Sequence, residues 1–318
     1  MEGQPPFPDH KEKGGISYIR IFSGIILAFS FLLFLISLSF LFSPVYTGYS
    51  NLGGLVYFFV LLYLAIVGYL PVIILVGAMV ALYFIFFIIM MRSSIQNKSR
   101  SFDNPAVYFA LVSSAVLIIE LIATIAEEKL GIGIGGGSID TSIVTNPFLT
   151  YVSLIYAPFA EEVGFRIIPI GLFVFFMIYR RSGNIKDSLY GILAPGRMLR
   201  KNDISIKTWP FIVMVLATSA VWGYAHVYYG AWDPGKIIPV FIAGIAIAFG
   251  YLKFGVYMDI LMHWFYNGTL TLVDVYPLTG GIVDTYLIVI LIAGVIGIVM
   301  LILRFAGFIG GRTSIPEI

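Results

Sequence analysis

The chain contains no cysteine, only three histidines (His10, His226 and His263) and few charges. Without cysteine there is no disulfide, no thiol nucleophile and no cysteine-ligated metal. Only 11% of the 318 residues are charged and 59% are hydrophobic, where soluble domains carry about 25% charge; with a mean hydropathy of +0.97, a water-soluble fold is excluded. The net charge of +2 is spread over the loops, and no block of like charge is large enough for a nucleic-acid surface, so no nucleic-acid partner is implied. The glycine-rich stretch 131–137 is not followed by Lys-Ser/Thr, which removes a phosphate cradle. No internal repeat is visible.

Long apolar runs are what the chain does have. Residues 21–42, 107–126, 211–229 and 287–303 each approach or exceed the roughly 18 needed to cross about 30 Å of hydrocarbon. The first run exceeds the about 7 to 15 residues of a cleavable signal core and lacks a small-residue cleavage site, so it reads as a retained span. Hydropathy places helices at about 20–42, 52–91, 105–126, 147–179, 209–229, 237–252, 255–272 and 285–304. The expected fold is therefore all-α, a polytopic transmembrane helical bundle of about eight spans. Its single domain would cover 20–305, with a polar N-terminal tail at 1–19 expected to be disordered and a C-terminal tail at 306–318. The 52–91 run would be about 60 Å long as one helix, and Gly68 to Pro71 predicts a break at its centre. It reads as one crossing plus an interfacial or re-entrant piece. Basic residues collect at 92–104 and 180–208, acids at 127–146 and 273–284. Cytoplasmic loops carry the basic excess, so both termini of this integral, multi-pass protein are expected inside.

Against that background Glu161 and Glu162, adjacent within the apolar stretch 147–179, stand out. A carboxylate at bilayer depth costs roughly 2.5 to 3.5 kcal/mol on insertion scales, which makes an intramembrane acid a functional-site hypothesis. Glu162 and Arg166 are four apart with the acid N-terminal, the better order for pairing on a helix. Glu161 points about 100° away, so its partner must come from another helix. Two further pairs repeat the four-residue spacing: Trp222 with His226, and His263 with Asn267. Each pair alone has a structural explanation, as an interfacial aromatic belt around Tyr228 and Trp232 or as interhelical glue worth about 0.6 kcal/mol. Together, Glu, Arg, His, His and Asn in three spans call for a shared polar cavity within the bundle. The set contains a base (Glu161), a group to orient water (His226) and donors for an oxyanion (His263, Asn267), the roles that hydrolysis of an acyl bond requires. Asp259, four residues before His263, could fix that ring's tautomer or, nearer Lys253, simply reach the interface. Counted from the helix ends, Glu161 falls near mid-bilayer, His226 toward the outer end of its span and His263 toward the inner end.

At these residues the sequence resembles the family of intramembrane endopeptidases that includes CAAX prenyl proteases of the Ras-converting type and bacteriocin-processing or self-immunity proteins. The family pattern is Glu-Glu-x-x-x-Arg, then Phe-x-x-x-His, then His-x-x-x-Asn or Asp on successive spans. Glu161, Glu162 and Arg166 match the first motif, Trp222 and His226 match the second with Trp in place of Phe, and His263 and Asn267 match the third. The resemblance covers about residues 145–272. It implies that Glu161 and His226 activate the attacking water, that His263 and Asn267 stabilise the tetrahedral oxyanion, and that Glu162 and Arg166 support the site. It also implies a peptide or protein substrate, membrane-anchored or prenylated in one branch of the family, and a glutamate mechanism that needs no cofactor. A His₂Glu zinc site from Glu161, His226 and His263 is the alternative; it is disfavoured because no His-Glu-x-x-His helix is present. Two other readings compete: a transporter with a Glu/Arg/His relay, which would show a repeat symmetry absent here, and a catalytically silent scaffold of the same family, against which the intact motifs argue.

Overall fold

The computed structural model describes residues 23–28, 30–31, 53–97, 102–133, 147–230, 232–275 and 280–306. The expected N-terminal tail, nearly all of the C-terminal tail and most of the first expected span lie outside the described residues. Among the described residues, six helices are long and apolar enough to cross a bilayer: Val72–Gln96, Pro105–Lys129, Val152–Ser182, Trp209–Tyr228, Pro234–Phe254 and Asp284–Phe305. With only one small sheet among the described residues, the molecule is an all-α polytopic bundle.

The first described strand, β1 (Gly53–Val60), pairs antiparallel with β2 (Tyr63–Pro71), and α1 (Val72–Gln96) follows directly. Helix α2 (Pro105–Lys129) precedes α3 (Pro147–Glu162), a π-helical turn (Val163–Ile167) and α4 (Pro169–Ser182). Two short helices, α5 (Ile185–Leu193) and α6 (Pro195–Lys201), lead into α7 (Trp209–Tyr228). A 3₁₀ turn (Pro234–Lys236) then opens α8 (Ile237–Phe254), followed by α9 (Val256–Val275) and α10 (Gly280–Phe305). Boundaries follow local chemistry. The Asn104 side chain caps α2 by accepting from Ala106 N and Val107 N at 3.0 and 3.3 Å, with Pro105 at the first helical position. Gly183, at φ 65°, ends α4 in the left-handed conformation. The core lies where α2, α8 and α9 meet: Phe109, Leu111, Ile247, Leu261 and Phe265 are fully buried, and the Phe109 and Phe265 rings meet edge-on at 5.4 Å.

Two stretches depart from the helices expected for them. Residues 53–71 form a hairpin rather than the start of a helix. Val56, Tyr57, Val60, Tyr63, Ile66, Val67 and Tyr69 supply β-branched and aromatic side chains that fit a pleated surface better than a helix, and hydropathy alone does not tell the two apart. The break expected around Gly68 to Pro71 falls where β2 gives way to α1, so the run contains one helical crossing and one piece that does not cross as a helix. The second departure is the π turn, which interrupts 147–179 immediately after Glu162 and closes with Ile168 N donating to Val163 O at 2.9 Å. Such turns insert one extra residue into a helix and recur at functional sites.

The hairpin is fastened against that turn. Tyr57 N donates to the Tyr156 hydroxyl at 2.9 Å, which in turn donates to Tyr57 O at 2.6 Å. Tyr229 donates to Leu62 O, and the Phe59 ring packs 6.1 Å from Phe165 and 5.6 Å from Tyr229. Gly164 makes the approach possible: a Cβ there would stand 2.0 Å from Phe59 O.

Candidate active site

The end of α3 delivers Glu161 and Glu162 in different directions, as neighbouring helical positions must be. Glu162 turns inward. Its Oε1 lies 3.2 Å from Arg166 Nη1 and 2.7 Å from His263 Nδ1. Glu161 turns toward α7, where its Oε2 accepts from Trp222 Nε1 at 2.6 Å. Nε2 of His226 and Nε2 of His263 each stand 4.0 Å from that same oxygen. Three sequence-distant segments thus meet around one carboxylate.

Exposure divides the cluster. Glu162 and Arg166 side chains are 0% exposed and His263 4%, whereas Glu161 and His226 keep 16% and 17%. The outer pair is partly open and the inner pair is sealed. The hydrogen bonds assign the rings. His226 Nδ1 lies 2.9 Å from Trp222 O, and a carbonyl only accepts, so Nδ1 carries a proton and the neutral ring offers its Nε2 lone pair toward Glu161. His263 Nδ1 donates to the ionised Glu162 in the same way. Its Nε2 is therefore a lone pair in the neutral ring and a donor in the imidazolium.

Trp222 ties the two halves together. The Arg166 guanidinium lies 4.0 Å from the centroid of its ring, a cation–π contact, and its edges meet His226 and His263 at 5.3 and 5.2 Å. Held in this way, the indole aims Nε1–H at Glu161. The sequence reading took Trp222 only as an aromatic filling a pattern position and did not anticipate that bond. Ser219 was missed as well. It sits by Arg166 under Gly244, whose missing Cβ would come within 2.9 Å of Ser219 Cβ and 3.0 Å of Arg166 Nη2. A signal existed, since 215, 219, 222 and 226 make one stripe of α7 and two of those positions were already singled out.

Asn267 lies one turn beyond His263 on α9, and its Nδ2 donates to Leu154 O of α3 at 2.9 Å. That amide carries a second hydrogen. Asp259 does not hold His263, because Glu162 occupies Nδ1; the ring is turned toward α3 rather than along its own helix. Nor does Asp259 reach an interface, being fully buried. Its Oδ1 accepts from Ile260 N at 2.8 Å, and it lies within electrostatic reach of Glu162 and Arg166.

As a metal cage the cluster fits poorly. Among the described residues no three His, Asp or Glu side chains are placed to hold one ion. The two 4.0 Å separations exceed the about 3.3 Å between ligand atoms of a tetrahedral zinc with bonds near 2.0 Å, and Trp222 already occupies the shared oxygen.

Residues 143–269 match the family model described as Type II CAAX prenyl endopeptidase Rce1-like. That segment is similar to an Rce1-like domain. The matched segment is about two-fifths of the chain and contains all three motifs. No curated protein and no solved structure matches the chain. The Rce1-like domain indicates a protease acting on a peptide or protein substrate, and the six apolar helices make its carrier an integral membrane protein.

Proposed function

We propose that the protein hydrolyses a peptide bond at the Glu161 cluster by a glutamate mechanism. One observation carries the reading: two imidazole Nε2 atoms, on α7 and α9, stand 4.0 Å from a single Glu161 oxygen. That is the separation bridged by one water making two hydrogen bonds of about 2.8 Å at a right angle. Glu161 takes a proton from this water, His226 orients it through its Nε2 lone pair, and the hydroxide adds to the substrate carbonyl. The carbonyl oxygen becomes an oxyanion, to which His263 as imidazolium and the Asn267 carboxamide donate. Glu161 then returns its proton to the leaving amine. Glu162 and Arg166 act behind the reacting atoms, since Glu162 supports charge on His263 while Arg166 fixes both Glu162 and Trp222. The prenylated or membrane-anchored character of the substrate belongs to the same proposal and is supported by the family description alone.

The test is cleavage of a membrane-anchored peptide by the purified protein. Glu161→Gln keeps the shape and the Trp222 contact but has no base, so turnover is expected to disappear while the thermal melt stays within a few degrees of the parent. Activity of the parent is expected to survive exhaustive chelation without stoichiometric zinc co-purifying. A tenth of parental turnover in Glu161→Gln, or an apoprotein revived only by added Zn²⁺, counts against the glutamate mechanism.

A further inference from the structure

The segment between α4 and α7 plays no part in the reaction proposed above, yet its surface is built for a ligand. From 180 to 208 it carries seven basic and two acidic residues. Arg180, Arg181, Lys186, Arg197 and Arg200 are exposed, and among the described residues Lys201 is the basic residue of the segment held by an acid, with Nζ 2.9 and 2.8 Å from the Asp187 oxygens. Beside the cations lies an apolar stripe. Ile185, Leu189 and Leu193, four residues apart on one face of α5, are 57%, 54% and 58% exposed, while Ser188 and Gly191 on the other face are buried. Water is the wrong neighbour for that stripe, since removing such side chains from water is favourable.

The span that leads into the stripe also exposes apolar side chains. Leu172, Phe176 and Tyr179 are exposed along α4, which leads into α5, and Trp209, exposed at the start of α7, is an aromatic of the kind that marks a membrane interface. The element is also rigidly mounted: Tyr251 of α8 donates to Ile192 O at 2.5 Å, and Arg197 sits over the Tyr190 ring at 5.9 Å. An apolar face flanked by cations at the end of the spans is the pattern of a helix lying in the headgroup plane. We propose that α5 and α6 form a docking site for anionic phospholipid headgroups, with Ile185, Leu189 and Leu193 in the acyl layer and Lys186, Arg197 and Arg200 on the phosphates.

This site is independent of the proteolytic reading, and its test needs no substrate. The full-length protein is purified, exposed to an equimolar mixture of phosphatidylglycerol and phosphatidylcholine, and the retained lipids are counted by native mass spectrometry. The parent is expected to retain phosphatidylglycerol preferentially. The variant Lys186→Gln/Arg197→Gln/Arg200→Gln is expected to lose that preference by roughly fivefold per cation removed, whereas Arg92→Gln, in the other basic loop, keeps it. Equal retention of the two lipids by the parent overturns the proposal without reference to any variant. So does an unchanged preference in the triple variant, or an equal loss in Arg92→Gln.

Discussion

Adjacent glutamates divide one task because a single residue step turns them to different surroundings. Glu162 is sealed between Arg166 and His263, and Glu161 is left with an indole and a partly open side. Arg166→Ala should therefore damage the fold before it damages chemistry. Removing the guanidinium strands a carboxylate at 0% exposure, a change that costs about 3 to 5 kcal/mol for a buried pair, and it also takes away the cation under Trp222. Folded yield and melting temperature are the readouts, and a fully stable, fully active Arg166→Ala protein would contradict the sealed geometry. Asn267 separates two roles by kinetics. Its Nδ2 ties α9 to Leu154 O, and under the proposed mechanism the carboxamide also serves the oxyanion, so Asn267→Ala is expected to lower kcat by about 10²- to 10³-fold with KM nearly unchanged. Asn267→Asp keeps the size but can donate only when protonated, to Leu154 O or to the oxyanion; partial activity fading as pH rises is expected. If both substitutions raise KM and spare kcat, Asn267 is a packing or substrate-binding residue.

Elements bring these residues together, and here the sequence was legible only in part. Four-residue spacing on three separate spans pointed to one polar cavity, because helical periodicity survives whatever the helices do next. The proline at 71 likewise marks where α1 begins, since proline is tolerated at the start of a helix and disfavoured within it. The hairpin was not legible: a run that is apolar at every position has no periodicity to choose strand over helix. The π turn was hidden because it changes backbone bonding without changing composition. Counting along ideal helices separated His226 from His263 in depth, yet both reach Glu161, whose span of 31 residues, Val152–Ser182, is about 46 Å long by helical rise and too long to stand upright in about 30 Å of hydrocarbon. Gly164 is where hairpin and π turn depend on each other. A methyl group there would collide with the Phe59 backbone at 2.0 Å, which no rotamer change relieves, so Gly164→Ala is expected to lower stability by about 1 to 3 kcal/mol and to depress cleavage through displacement of Glu161. Parental stability and turnover in Gly164→Ala would show that the hairpin does not rest on the turn in the membrane.

At the scale of the molecule, the missing cysteines that narrowed the chemistry also allow orientation to be measured cleanly, because any introduced thiol is the only one in the chain. Among the described residues six helices can cross a bilayer, and two of them bear on the sidedness of the basic segments. Helix α2 runs from the basic 92–104 segment to Lys129, and the Val152–Ser182 span returns to the basic 180–208 segment. If basic segments stay in the cytoplasm, one crossing separates Lys129 from the 92–104 loop and the next brings Lys186 back to the same side as that loop. Lys129 and Lys186 are both exposed, so neither substitution disturbs a core. In intact cells, Lys129→Cys is expected to react with a membrane-impermeant maleimide and Lys186→Cys to react only after the membrane is opened. Reaction of both from outside would mean an even number of crossings between them, against the α2 to α4 path. The reverse pattern would place the basic segments outside, and with them the face from which anionic headgroups would have to reach α5 and α6.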